Sequence, residues 1–142
     1  MHRLKIGATA GVLAVIGLGC FAGSLAARAA DEAARGRILF LRCASCHDVS
    51  GSSIGKIGPS LHGVFGRKVA SLEGFSYSAA LRAQDFVWDA PHLDRWVQNP
   101  NAVAPGTIMA FAGIAEEADR QAIIEYLKSQ SASGAPAAGA AP

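Results

Sequence analysis

Apolar runs with helical spacing alternate along the chain with long polar stretches that carry no regular period. Three segments have the helical signature. Asp31 can cap a helix running to about Arg42, with Ile38, Leu39 and Leu41 on its apolar side. Asp89 can cap a second, with Pro91 in its first turn, Leu93, Trp96 and Val97 along one side, and Asn99-Pro100 as its stop. A third spans about Glu116 to Lys128. Its acidic residues come first, Ile123, Ile124 and Leu127 form the apolar stripe, and Lys128 comes last, the order a helix dipole favours. Between these segments lie turns at Gly51, Gly55, Gly58, Gly63, Gly66 and Gly74. No stretch alternates apolar and polar residues for long enough to build a sheet. The pattern predicts an all-α fold of three to five helices, with glycine-rich loops wrapped around something.

The two ends read differently from the middle. His2, Arg3 and Lys5 give a basic start, Ile6 to Ala27 holds 22 residues without a charge, and Ala27-Arg28-Ala29 precedes the acidic Asp31-Glu32. That is the layout of a signal peptide over residues 1–29. An uncharged run of this length can also span a bilayer, so a retained anchor is the alternative. Gly17 stands where lipid attachment at Cys20 would want leucine. Residues 131–142, SASGAPAAGAAP, predict a flexible tail. What remains, 30–130, is one domain of roughly 100 residues, small for a self-supporting core. A large buried cofactor would supply apolar interior.

Charge changes the picture once the leader is set aside. The full chain carries a formal +2, but Arg3, Lys5 and Arg28 are three of its thirteen basic residues, and all eleven acids lie later. Residues 30–142 are therefore left at −1, with no basic stripe for nucleic acid. Cys20 also leaves, so the domain keeps only Cys43 and Cys46. A pair three positions apart makes no disulfide framework and points to local chemistry.

That chemistry is Cys43-Ala44-Ser45-Cys46-His47. Two thiols at this spacing can add across the vinyl groups of one haem, and the adjacent His47 is then held beneath the iron as proximal ligand. A thioredoxin-like pair would need a βαβ setting, and a zinc site would need another Cys or His pair at ligand spacing; neither is present. The sixth iron position is constrained by composition. Of two methionines Met1 belongs to the leader, so a thioether ligand would have to be Met109, in the stiff loop Pro105 to Phe111. His62 and His92 are the competing imidazoles, in polar settings that suit surface residues.

From Cys43 to about Lys128 the chain resembles the class I cytochromes c of mitochondrial and alphaproteobacterial type. The resemblance rests on CASCH, GPSLHGVFGRK (58–68), GFSYS (74–78), Trp88, NP (99–100), PGTIMAF (105–111) and IIEYLK (123–128), in that order. It implies a small cytochrome c fold around one haem c bound covalently through Cys43 and Cys46, with His47 and Met109 on the iron. It also implies a Pro59 carbonyl that accepts from the His47 ring. Tyr77 and Trp88 would donate to a buried propionate, with Arg67 as compensating charge and Thr107 beside Met109 in the cofactor-binding loop. Gly36 and Tyr126 would mark the meeting of first and last helices. Leu81 and Trp96 replace the relatives' usual Asn and Tyr, which predicts a drier distal side. Asn101, Ala102 and Ile108 stand at positions that are often lysine, while Arg42, Lys56 and Lys68 remain.

The function this implies is a periplasmic carrier of single electrons, not an enzyme, and monomeric. Its donor would be a cytochrome bc-type complex and its acceptor a terminal oxidase or another redox protein. The alternatives are a membrane-anchored cytochrome domain and a haem peroxidase or gas-binding protein.

Overall fold

Alanine decides where the first helix lies. In the computed structural model, which describes residues 17–132 except residue 53, α1 runs from Gly17 to Leu39. Asp31 sits exposed in its interior instead of capping it. The stretch Ala26-Ala27-Arg28-Ala29-Ala30 has the highest helix propensity in the chain, so nothing halts the helix before Asp31. Residues 1–16, where the predicted leader begins, and 133–142, most of the predicted tail, lie outside the described residues. A turn at Phe40 separates α1 from the one-turn α2 (Leu41–Ala44), so the predicted single helix to Arg42 is two pieces.

α1 packs on the last helix, α6 (Glu117–Ala132). Gly36 makes this possible: a Cβ there would overlap the Ala122 carbonyl and come within 2.8 Å of Tyr126 Cβ. The Phe40 and Tyr126 rings meet at 5.3 Å, and Arg35 pairs with Asp119 at 2.5 Å across the same crossing. α6 continues past the predicted end at Lys128, because no Gly or Pro intervenes before Gly134. Ser131, predicted to begin the tail, belongs to the fold. Its hydroxyl donates to the Leu127 carbonyl at 3.0 Å and accepts the Phe65 N–H at 3.1 Å.

Short elements bring the remaining chain onto this frame. α3 (Ala79–Arg82) is capped by Ser78, which accepts from the Leu81 N–H. α4 (Ala90–Gln98) starts as its sequence predicts: Asp89 accepts the His92 N–H at 2.8 Å, and Leu93, Trp96 and Val97 are buried. Asn99 then ends α4 and caps α5 (Pro100–Val103), accepting from the Ala102 N–H at 3.2 Å. Arg120 of α6 ties to α4 through Asp94 at 2.8 Å and donates to the carbonyls of Ile114 and Ala115. Among the described residues there is no strand, only an isolated antiparallel bridge between Lys68 and Val87. The all-α expectation holds, with six helical segments among the described residues against the three to five expected, because three of them are single turns.

Candidate functional site

α2 and the turn after it set the first wall of a cavity of about 290 Å³. The Cys46 and His47 N–H groups both donate to the Cys43 carbonyl, at 3.0 and 2.9 Å, so one turn of backbone carries two thiols and an imidazole. All three side chains line the cavity, and the thiols are unbridged. Burial pushes the Cys43 thiol up to about 11 against the opposing pull of Arg42. Zinc takes thiolate, which burial of this side chain disfavours. No metal-holding cluster of His, Cys, Asp and Glu occurs among the described residues.

His47 is buried, with Nδ1 2.7 Å from the Pro59 carbonyl oxygen. A carbonyl can only accept, so Nδ1 carries the proton and Nε2 keeps its lone pair. Burial lowers the affinity of the ring for a second proton, with the Pro59 bond working the other way. Gly58 leaves room for the ring: a Cβ there would overlap His47 Cε1 and lie 2.7 Å from Nδ1.

The sequence reading missed the device that holds Pro59. Asp48 Oδ1 accepts from the Ser50 N–H (2.8 Å), the Ser50 hydroxyl (2.9 Å), the Gly51 N–H (3.0 Å) and the buried Ser60 hydroxyl (3.2 Å). Burial alone would raise its pKa, but these donors outweigh it and hold the carboxyl at about 2. The signal was legible as Asp48-Val49-Ser50-Gly51, an Asx-turn pattern.

The other wall comes from the loop after α5, which supplies Thr107 and Met109. Its start is tied by the Gly106 N–H to Asn101 Oδ1 at 3.0 Å, and its end by the Ile114 N–H to the Val97 carbonyl at 3.0 Å. Gly113, at φ +92, has no room for a side chain beside the Gln98 and Val97 carbonyls. Within the loop the Met109 N–H points to Thr107 Oγ1 at 3.4 Å. Leu81 and Trp96 are buried and line the same cavity, with Trp96 edge-on to Trp88 at 5.5 Å.

Tyr77, Trp88 and Arg67 also line this cavity. Arg67 is half-buried and donates to the carbonyls of His62 (3.1 Å) and Ser60 (3.0 Å), so part of its fork is committed to the loop after His47. Burial raises the Tyr77 hydroxyl pKa, with the Arg67 charge opposing it. All nine expected cofactor residues therefore surround one space. His62 and His92 lie outside it and are not free surface side chains. His62 Nδ1 is 3.0 Å from the Val49 carbonyl, and His92 stacks on Phe86 and bonds Asp89 at 2.6 Å.

The donor set fits an iron macrocycle: an imidazole nitrogen that keeps its lone pair, a thioether, two thiols and mostly apolar walls with two cations, Arg42 and Arg67. Comparisons with known proteins agree. The profile of the family described as cytochrome c matches residues 33–131. The chain is 38% identical over 120 residues to cytochrome c2 of Blastochloris viridis, covering 84% of this chain and 94% of that protein. It is 43% identical over 98 residues to cytochrome c of Stellaria longipes, covering 68% and 91% respectively. It is 37% identical over 106 residues to cytochrome c-554 of Methylosinus trichosporium, covering 75% and 80%.

Proposed function

The chain belongs to the cytochrome c family of electron carriers, with one haem c held through Cys43 and Cys46, and we propose that it shuttles single electrons in the periplasm using His47 and Met109 as axial ligands. The haem supplies the Fe(III)/Fe(II) couple. The observation that carries the ligand assignment is the cavity itself, where His47 and Met109 meet the two thiols.

Each residue then has a role. Pro59 fixes the His47 tautomer and makes the imidazole a stronger donor. Met109 would hold the iron together with His47 and keep exogenous ligands out, which would separate a carrier from a peroxidase or gas sensor. Thr107 steadies the Met109 backbone. Arg67, Tyr77 and Trp88 provide a cation and two donors for a propionate taken out of water. Replacing Met109 with Ala should abolish the methionine–iron charge-transfer band and admit carbon monoxide to the reduced protein; an unchanged spectrum rejects the ligand.

The donor would be a cytochrome bc-type complex and the acceptor a terminal oxidase, met by a monomer in weak, brief complexes. Cleavage after Ala29 would release residues 30–142 and leave Asp31 at the start of a shortened α1, where its charge favours the helix end. One observation favours a retained tether instead: α1 passes through Ala27-Arg28-Ala29 without a break. No described helix is long and apolar enough to cross a membrane. N-terminal sequencing of the exported protein decides; a start at Ala30 or Asp31 rejects the tether.

A further inference from the structure

Five of the residues that wall the cavity also face solvent, and they mark its opening: Arg42, Ser45, Ile57, Ile108 and Ala110. Ile57 is 81% exposed and Ile108 72%. Single exposed apolar side chains are ordinary on a soluble protein. Two isoleucines at the mouth of one functional cavity are less so, and Ile54, on the same loop as Ile57, is more exposed still at 87%. These side chains lose water only if something covers them.

The charges nearby say what kind of surface that is. Arg42 is the only charged group among the five, and none of them is acidic. Lys56, next to Ile57, turns its ammonium onto the Ala44 carbonyl. Lys68 and Lys128 do not line the cavity and are paired with Asp85 at 3.2 Å and Glu125 at 2.6 Å. Among the described residues an acidic partner surface would find the Arg42 guanidinium and the half-buried Lys56 ammonium beside Ile57, and exposed ion pairs of this kind contribute little. An apolar surface would cover two large side chains at once.

We propose that this opening docks an electron-transfer partner whose matching face is apolar and nearly uncharged. The proposal rests on the carrier reading above and adds the chemistry of the partner. Association then owes little to long-range steering and changes little with salt. Ile57 and Ile108 are its main anchors. They stand at the mouth of the cavity that would hold the haem, so apolar docking would bring a partner to that opening.

Voltammetry of the purified holoprotein on two electrodes tests this, one coated with a methyl-terminated alkanethiol monolayer and one with a carboxylate-terminated monolayer. The expected result is a reversible one-electron wave on the methyl surface whose transfer rate changes less than ~2-fold between ~0.01 and ~0.5 M salt. The double substitution Ile57→Lys, Ile108→Lys should weaken that wave ~10-fold and create a salt-sensitive wave on carboxylate. A wild-type wave confined to carboxylate and lost with salt overturns the apolar docking face while leaving the carrier intact. No wave on either surface overturns both readings. A wild-type dimer in sedimentation that the double substitution abolishes would assign the face to a second copy, and that also overturns the proposal.

Discussion

The two walls of the cavity are held by different physics. The wall bearing His47 is wired by hydrogen bonds: Pro59 to the ring, Ser60 to Asp48, and Arg67 to the carbonyls of Ser60 and His62. The wall bearing Met109 is packed. The buried Leu81, Trp96 and Val97 line the cavity with it, and its loop is tied at the ends more than at the methionine. An imidazole has two different nitrogens and must be told which to present, so a directional network suits it. A thioether has no proton to place, and close packing is enough to hold it.

Substitutions can break or sharpen this contrast. The largest effect is expected from Gly58→Ala, whose methyl would displace the His47 ring. We expect a loss of about 3 kcal/mol or more in denaturant unfolding and a collapse in haem-loaded yield. Normal yield would mean the ring can move freely. On the packed wall, Leu81→Ala should cost about 2–3 kcal/mol by leaving a cavity, with the His47 side unperturbed by NMR. A cost near zero would show that the packing there is loose.

Asp48→Asn should cost about 1 kcal/mol at neutral pH, and its pH dependence is the sharper test. The carboxyl titrates at about 2 in the folded chain, below its ordinary value of 3.8. Its ionised form is therefore the stabilising one. The gap in melting temperature between wild type and variant should be full above pH ~4 and close as pH falls toward ~2. A constant gap would show that charge is not what holds the loop. The smallest effect should come from Ser131→Ala, about 0.5 kcal/mol, since both of its bonds lie near the surface.

Local rules carried the sequence reading a long way where they met no competitor. Asp89, Pro91 and Asn99 mark α4 because a cap, a first-turn proline and a stop each act within a few residues. The CASCH spacing places two thiols and an imidazole on one turn for the same reason. The start of α1 is not legible locally, because a good cap at Asp31 competes with an alanine-rich run that needs no cap there. Ser131 reads as tail because small polar residues look alike in a linker and in a last helical turn; the distant Phe65 N–H distinguishes them. The commitment of Arg67 to two carbonyls was also hidden, since it depends on a fold of the chain between Ser60 and Arg67 that no pairwise pattern encodes. Chemistry was legible to the extent that it was local.

The crossing of α1 and α6 joins residues 84 positions apart, as in the Arg35–Asp119 pair. A chain made and moved from its N-terminus meets this condition last. Until residues beyond Glu117 are present, α1 has no helix to lie against, and the frame that shelters Cys43 stays open. The order of assembly follows from that. Any agent that must reach the two thiols finds them most open while the molecule is unfinished, before the C-terminal helix arrives.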